Sequence, residues 1–268
     1  AREGGGLRRV IHFRRLDQAR PLVLAVDRPQ RRQVGLFFLD LARRALLEVL
    51  ARAFRDNPMN RAIHGPDPAH RLRANRAGLR SLVLDLHPWT RTRVIRNEGR
   101  VVGGFVAVPP GGFPLPGASL RRQLGCLLWQ GARAMDRWGF VSESLRLAHP
   151  LEPHWYLAVL GVDPAYQRRG LGTRLLDGLC GLACAEPGPI YLESDRPESV
   201  DFYRARGFEC LGELHPLDVA CWQLGWIPEP ESSGEGSDLC NAVARRSAFD
   251  ELPPPVAARR AARSEVAT

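Results

Sequence analysis

The stretch from His154 to Glu186 constrains the fold more than any other part of the chain. Trp155–Val162 is an almost unbroken apolar run, which is typical of a strand buried on both faces. Asp163-Pro164 predicts a turn after it. From Leu171 onward, apolar residues recur at helical spacing until Pro187 and Gly188 end the pattern. The sequence therefore predicts a buried strand that leads through a turn into a helix.

The predicted turn has the composition of a phosphate-binding loop. It reads Gln167-Arg168-Arg169-Gly170-Leu171-Gly172, and the free N–H groups at the start of a helix attract anions. The two glycines let a ligand approach the backbone closely. A P-loop is excluded because the chain contains no lysine, and the third glycine of a dinucleotide fingerprint is missing. The alternative is a tight turn that binds nothing.

Composition restricts the class of protein. The 268 residues, 44% hydrophobic and 25% charged, suit a soluble globular protein with one large domain or two small ones. No apolar run approaches the roughly 18 residues of a membrane helix, and no signal-peptide pattern opens the chain. We therefore expect a cytoplasmic protein without a membrane partner. The six cysteines are spread out and are expected as core thiols, with no metal site.

The net charge of +9 is concentrated near the start of the chain. Residues 1–33 hold nine arginines and three acids, so that +6 of the +9 lies there. Elsewhere the arginines are scattered among acidic residues. This distribution predicts a solvated basic arm, and no nucleic-acid partner is expected.

Before the central stretch, the pattern predicts helices and a hairpin. Helices are expected over 41–54, with Asp40 as N-cap, and over 68–86. A hairpin is expected from 91–96 and 101–108, turned at residues 97–100. The segment 118–149 is helical in pattern and rich in large apolar residues. A first strand is expected at either 10–17 or 34–39.

After the central helix, the pattern predicts the sheet's last elements and a tail. Strands are expected at 189–194, 208–211 and 219–224, with a helix at 197–206 before the last two. We divide the chain into a basic arm (1–33) that could contain the first strand, one domain (34–227) and a disordered tail (228–268). The fold class is α/β (α+β) with a mixed sheet.

Beyond these patterns, the chain resembles the Gcn5-related N-acetyltransferase (GNAT) superfamily. That family's pyrophosphate loop reads Gln/Arg-x-x-Gly-x-Gly/Ala between a strand and a helix, as residues 167–172 do here. The resemblance is densest over 152–226 and is greatest to bacterial small-molecule enzymes of the puromycin N-acetyltransferase type, on Pro153–Leu157, Tyr191–Ser194 and Phe202–Phe208. It implies a mostly antiparallel central sheet flanked by helices, with residues 118–149 as a helical insertion before the motif strand.

The resemblance also implies acetyl-CoA as co-substrate, with no metal. Backbone groups of Leu160, Gly161 and Val162 would pair with the pantetheine arm, and the Leu160 N–H would hold the developing oxyanion. The residues implied in binding the phosphates are Gln167, Arg168, Arg169, Gly170, Leu171, Gly172 and Thr173. Ser199 is implied as a further cofactor contact. Near this helix the chain departs from the family at two positions, because Arg196 stands where an Asn is usual and Ser199 stands where an Ala or Asn is common.

Two side chains are predicted to carry the chemistry. By position, Tyr203 matches the family's acid, and a neutral phenol can donate a proton to the departing sulfur. Glu193 is the candidate base, because a glutamate inside an apolar strand is hard to bury without a partner. The alternatives are a core role for Tyr203 and a structural ion pair of Glu193 with an arginine such as Arg196. Weaker candidates on the acceptor side are Glu143, Glu152 and His154.

The predicted function is therefore acetyl transfer from acetyl-CoA to a primary amine of a small molecule, by direct attack. Two alternatives stay open, namely a protein or peptide N-acetyltransferase and a non-catalytic acyl-CoA-binding module. The expected oligomeric state is a monomer or a homodimer.

Overall fold

The computed structural model describes residues 28–85, 90–228 and 250–252. Its helices are α1 (Arg28–Ala53), α2 (Pro58–His64), α3 (Pro68–Leu84), α4 (Leu120–Gln130), α5 (Ala132–Leu147), α6 (Leu171–Ala185) and α7 (Pro197–Arg204). Its strands are β1 (Arg91–Asn97), β2 (Arg100–Val108), β3 (Trp155–Val162), β4 (Ile190–Ser194), β5 (Glu209–Leu214), β6 (Cys221–Trp226) and β7 (Asp250–Leu252).

The strands form one sheet in the order β5-β6-β4-β3-β2-β1-β7. Among the strands that the structure describes, β3 and β4 pair in parallel, and the other neighbouring pairs are antiparallel. The prediction of a mixed, mostly antiparallel sheet flanked by helices is confirmed. In the part of the chain that the structure describes, no helix is long and apolar enough to cross a membrane.

Helices cover both faces of the sheet. On one face, α6 and α7 bury Leu175, Leu179 and Val200 against the strands. On the other face, α1 and α3 bury Leu46, Leu50 and Val83. Each such large aliphatic side chain contributes about 1.5–3 kcal/mol when fully buried, so the two layers hold the sheet between them. A smaller cluster joins α2 to α5.

The first helix differs from its prediction. It begins at Arg28, so the 34–39 strand is wrong, and Asp40 lies inside the helix instead of capping it. A short apolar run cannot be distinguished from a helix segment by periodicity alone. The other proposed strand, 10–17, lies outside the described residues, as does the basic arm up to residue 27.

The helical insertion is confirmed and consists of two helices. They are separate because the chain turns at Gly131, whose φ is +83°. Helix α2, only seven residues long, was not predicted.

Within the predicted tail, Asp250–Leu252 pairs with β1, and the rest of that tail lies outside the described residues. Cys184 is disulfide-bonded, so the prediction of reduced thiols is wrong there.

Candidate active site

The sheet opens at its centre, between the parallel strands β3 and β4. β3 pairs with β4 at two positions, Trp155↔Ile190 and Tyr156↔Tyr191, and then continues to Val162 without it. On its other side, β3 has an extra residue at Ala158 opposite β2. Such a bulge bends a strand and increases its twist. The separation leaves one side of β3 without a strand partner, where an extended ligand with amide groups can pair.

A cavity of about 510 Å³ lies where β3 separates from β4. Its lining brings together nearly all the predicted cofactor contacts, namely Leu160, Gly161, Val162, Gln167, Arg168, Gly170, Leu171, Gly172, Thr173 and Ser199. The predicted contact Arg169 is not part of this lining; its guanidinium lies over the Tyr166 ring, 5.1 Å from the centroid.

The loop between β3 and α6 has a conformation that suits an anion. Gly170 caps α6 with a φ of +74°, and Arg168 also has a positive φ of +59°. No side chain caps this helix end, so its first N–H groups stay available to a ligand. Two side chains hold the loop in place. The Gln167 side chain donates a hydrogen bond to the Val162 carbonyl at 3.1 Å. Arg52 of α1 donates to Asp163 at 3.0 Å.

Arginines give this cavity a positive charge. Arg168, Arg196 and Arg206 line it, and in the part of the chain that the structure describes Glu198 is the only acidic lining residue. Arg206 bonds the Thr173 hydroxyl and lies 4.1 Å above the Phe202 ring. Three guanidinium groups near a helix N-terminus favour a ligand with several negative charges.

Tyr203 is buried and lines the same cavity. Its ring packs against Phe202 and Phe208, at centroid distances of 5.1 and 5.4 Å. Burial raises the pKa of the Tyr203 phenol. The side chain therefore stays protonated at neutral pH and is able to donate a proton.

A second cavity, of about 580 Å³, lies on the other side of Phe54, a residue that lines both cavities. Its walls come from α2–α5 and from Tyr156, Ala158 and Val159 of β3. The polar side chains in its lining are Asn60, His64, Asn75, Ser81, Gln123, Gln130, Ser142 and Tyr156. Among the described residues, none of those that line this cavity is Asp, Glu, Arg or Lys.

His64 in this wall is neutral. It is buried, and its Nε2 accepts a hydrogen bond from Trp138 Nε1 at 3.2 Å. Burial, assisted by the positive charges of His70 and Arg71, lowers the pKa of His64 to about 4. The sequence analysis predicted the helical insertion at 118–149, which supplies part of this wall, and did not predict the contribution of α2 and α3. The available signal was a set of polar residues, such as Asn75, on the inward face of an apolar helix.

Glu193, the predicted base, lines neither cavity but lies close behind the second one. Its side chain is 8% exposed, and Oε1 lies 3.5 Å from His149 Nδ1. Burial, together with the negative charge of Glu193, raises the pKa of the Tyr156 and Tyr191 phenols. The ion pair of Arg196 is formed with Glu198, at 3.5 Å, so the predicted structural pair of Glu193 with Arg196 is not what the structure shows.

Two buried histidines extend the site beyond Glu193. His149 Nε2 lies 2.9 Å from His154 Nε2, and His154 Nδ1 lies 2.7 Å from the carbonyl oxygen of Glu152. Phe113 stacks on the His149 ring at 3.6 Å. His154 was a weak candidate from the sequence, and His149 was missed. The Glu143 candidate is on the surface, paired with Arg146 at 2.6 Å.

The structure also bears on metal binding. Among residues 28–85, 90–228 and 250–252, no group of three His, Cys, Asp or Glu side chains is arranged to hold a metal ion.

Comparison with known proteins identifies one family. The model of the acetyltransferase (GNAT) family matches residues 43–208, which is more than half of the chain. The N-alpha-acetyltransferase RimI of Mycobacterium tuberculosis is 35% identical over 106 residues, which cover 38% of this chain and 66% of that protein. An uncharacterised protein of Mycobacterium leprae is 37% identical over 108 residues, covering 38% of this chain and 29% of that protein.

A solved structure is also similar. The polyamine N-acetyltransferase of Drosophila melanogaster aligns with a TM-score of 0.49 and 17% identity, covering 75% of this chain and 97% of that one.

Proposed function

The chain belongs to the GNAT acetyltransferase family, and on that premise we propose that it transfers the acetyl group of acetyl-CoA to a primary amine of a small molecule. Within the family, we place it with the bacterial small-molecule enzymes of the puromycin N-acetyltransferase type, because of the motifs in 153–157, 191–194 and 202–208. One observation carries the proposal: a positively charged cavity and an uncharged one meet at Phe54, beside the open side of β3.

The residues around the first cavity fit acetyl-CoA, which supplies the acetyl group. N–H groups at the start of α6 and the Arg168 side chain would hold the phosphates, with Arg169 closer to solvent. Backbone groups of 160–162 would pair with the pantetheine arm, and the Leu160 N–H would stabilise the developing oxyanion. The lining includes Ser199, whose N–H already donates to the Arg196 carbonyl at 3.0 Å. The Ser199 hydroxyl is therefore the group of this residue that would contact acetyl-CoA.

In this proposal Tyr203 is the acid and Glu193 is the base. An alkyl amine has a pKa of about 10, so a proton must leave before the nitrogen can attack. Glu193 receives it through Tyr156, which separates this carboxylate from the second cavity. Tyr203 then donates a proton to the departing sulfur. The buried phenol suits this role because it is protonated at the pH of the reaction.

The uncharged cavity favours a small acceptor. Its lining includes Trp138, Met135 and Leu82 together with neutral polar groups, so it suits an amine on a compact apolar body. The second candidate is a peptide amine, favoured by the likeness to RimI, which is an N-alpha-acetyltransferase. A peptide would need an open groove, whereas α4 and α5 wall this cavity.

The first experiment is a calorimetric titration of the folded protein with acetyl-CoA, with longer acyl-CoA analogues alongside. A thiol-release assay then compares a library of small amines with peptides of varied N-terminal residue. Preference for small amines supports the proposal, and preference for peptides favours the second candidate. A folded protein that binds acyl-CoA without transferring its acyl group would favour a non-catalytic module, and one that binds no acyl-CoA would overturn the proposal.

The acid role is tested with Tyr203→Phe. Loss of a general acid costs roughly 10²–10⁴-fold in rate, so kcat should fall by about that factor while the affinity for acetyl-CoA stays close to that of the wild type. Equal kcat in the variant would remove Tyr203 from the mechanism.

A further inference from the structure

Helix α4 presents a row of leucines to solvent. Single apolar residues on a surface are ordinary, whereas a contiguous apolar row marks an interaction site. The spacing of this row, at positions i, i+4, i+7 and i+8, places its members on one side of the helix. We call the row the leucine stripe; its four residues are between 41% and 81% exposed, and they are Leu120, Leu124, Leu127 and Leu128.

The opposite side of α4 faces inward. There Cys126 Sγ lies 3.4 Å from the Ala77 carbonyl oxygen of α3, and Gln130 is buried. Cys126 and Gln130 also line the second cavity. The leucine stripe is therefore not needed to pack α4 onto the protein or to wall that cavity, and its exposure calls for a partner.

The two helices that form this surface carry positive charge. Together α3 and α4 contain six arginines and no Asp or Glu. Three of the arginines form ion pairs with acids on other segments, namely Asp56, Glu48 and Asp85. The other three are exposed and form no ion pair with any residue that the structure describes: Arg73, Arg80 and Arg121.

Trp129 connects the leucine stripe to the arginines of α3. It follows Leu128 directly in the chain and is 55% exposed. Together with Arg73, Arg76 and Arg80, it lines a surface cavity of about 130 Å³. Arg121, in turn, directly follows Leu120. Apolar and cationic groups thus adjoin on one surface, which we call the α3–α4 surface.

The combination of charge and apolar area distinguishes between partners. In a two-fold dimer of this chain through the leucine stripe, the arginines of both copies would meet without an acid on α3 or α4 to pair with them. A nucleic acid would use the arginines and Trp129 but would leave the leucines exposed. A bilayer with anionic lipids accommodates both parts, because its phosphates attract arginines and its acyl boundary accepts leucine and tryptophan side chains.

We propose that the α3–α4 surface docks on an anionic phospholipid bilayer. The leucine stripe enters the boundary between headgroups and acyl chains, and Arg73, Arg80 and Arg121 face the lipid phosphates. The expectation of no membrane partner rested on the absence of a segment that could cross a bilayer, and docking on its surface needs no such segment. The proposal is independent of acetyl transfer, since none of these side chains lines either of the two cavities proposed for the reaction.

The first test is flotation of the full chain with phospholipid vesicles. One set of vesicles contains phosphatidylcholine alone, and the other contains about one quarter phosphatidylglycerol. We expect binding to the anionic vesicles, little binding to the neutral ones, and weaker binding when salt is raised from about 0.1 M to about 0.5 M. Equal recovery with both sets, or no recovery with either, would overturn the proposal.

The second test separates the α3–α4 surface from the general positive charge of the chain. The double variant Leu124→Asp, Leu128→Asp should lose roughly hundredfold or more in vesicle affinity, because the apolar contact is lost. Its control is Leu211→Asp with Ile227→Asp, since these two residues are 59% and 76% exposed, against 55% and 75% for the pair in α4. The control adds the same charge elsewhere and should keep most of the affinity.

The arginines are tested in the same way. Arg73→Gln with Arg80→Gln should weaken binding to the anionic vesicles by roughly 30-fold, at about fivefold for each arginine. Arg100→Gln with Arg204→Gln removes two exposed arginines from the β1–β2 turn and from α7, and should cost far less. Equal losses in the two variants would mean that net charge alone attracts the chain, and would overturn the proposal.

The other partners give different results. Sedimentation that shows a dimer in the wild type and a monomer in the leucine variant, without vesicle binding, would assign the stripe to a second copy. Binding of a single-stranded RNA that depends on Arg73 and Arg80 but not on the leucines, again without vesicle binding, would assign the arginines to nucleic acid. Vesicle binding that appears only after the four acids in 229–238 are replaced by their amides would mean that the chain covers this surface itself. Each of these results would overturn the proposal.

Calorimetric titration with acetyl-CoA shows that each variant is folded and keeps the two proposals apart. All the variants should bind acetyl-CoA as the wild type does. Vesicle binding by a chain that transfers no acetyl group would overturn the proposed function and leave the docking surface standing. Acetyl transfer by a chain that binds no vesicles would do the reverse.

Discussion

At the scale of single residues, Gly170 has a left-handed backbone conformation and lines the first cavity, which we propose for acetyl-CoA and call the cofactor cavity. Its φ is +74°, and a Cβ added there would meet no atom within 4 Å. Any effect of a larger side chain would therefore come from backbone strain and from its effect on a ligand. The two effects can be separated, because Gly99 in the β1–β2 turn has a φ of +78° and equally open space.

We expect Gly170→Glu to weaken acetyl-CoA binding strongly. A carboxylate near a phosphate costs about 1–4 kcal/mol for charges about 4 Å apart, which corresponds to a loss of roughly fivefold to nearly a thousandfold in affinity. Gly99→Glu has the same left-handed strain and the same charge away from the cavity. Calorimetric titration of both variants is the measurement, and similar affinities for the two would contradict the position of the phosphate site.

His64 should make the stability of the protein depend on pH. Its pKa is about 4 in the folded state and about 6.5 when unfolded, so between these values the unfolded chain binds more protons. Protonation of His64 therefore costs no stability above pH 6.5, and the free energy of unfolding falls as the pH drops from 6.5 toward 4. The slope is up to about 1.4 kcal/mol per pH unit, with a total of about 3 kcal/mol.

His64→Gln should flatten this dependence, since a glutamine can still accept the hydrogen bond from Trp138. Urea unfolding at several pH values between 4 and 7 measures the slope, with His215→Gln as the control at an exposed histidine. A slope in His64→Gln equal to that of the wild type would show that His64 is not the group responsible.

At the scale of elements, Asp195 connects α2 to the end of β4. Its carboxylate accepts from the Met59 N–H at 2.8 Å and from Asn57 Nδ2 at 2.9 Å. Asn57 lines the cofactor cavity, and Met59 packs against α5 in the small cluster. One side chain thus holds the segment between the two cavities.

Asp195→Ala should destabilise the fold, because two donors lose their acceptor, at about 1–3 kcal/mol for each buried group. Urea unfolding measures this loss, and Asp201→Ala, which removes an exposed carboxylate from α7, is the control. We also expect a weaker affinity for acetyl-CoA, since Asn57, which lines the cofactor cavity, loses the hydrogen bond that holds its side chain. A change in neither quantity would mean that α2 is held by its apolar contacts alone.

The parts of the site that are contiguous in the chain were predicted from the sequence, and the parts assembled from distant segments were not. β3, the loop and α6 follow one another in the chain, so apolar spacing and two glycines were sufficient to predict them. The second cavity, which we propose for the acceptor and call the acceptor cavity, is assembled from α2–α5 and β3. No local pattern specifies how those helices pack. The same holds for His149, which faces a glutamate 44 positions away and differs in no local feature from a loop histidine.

At the scale of the whole molecule, the two cavities differ in charge. Within the described residues, the cofactor cavity is lined by three arginines and one glutamate, and no charged residue lines the acceptor cavity. A polycationic acceptor gains no ion pair in such a cavity and must lose part of its hydration. An acceptor with a single amine on an apolar body has no such disadvantage. We therefore expect kcat/KM to be higher for hexylamine than for 1,6-diaminohexane.

A carboxylate placed in the cavity wall should move this preference toward the diamine. Ser142 of α5 lines the acceptor cavity, and Ser144, two residues later on the same helix, does not. Near a surface, a new ion pair contributes about 1 kcal/mol or less, so Ser142→Asp should raise the diamine-to-monoamine ratio of kcat/KM by up to about fivefold. Ser144→Asp adds the same charge to the same helix and should leave the ratio unchanged. Because both variants alter the net charge equally, a ratio that rises in both would reflect long-range attraction of the diamine. A ratio that rises in neither would place the acceptor elsewhere than in this cavity.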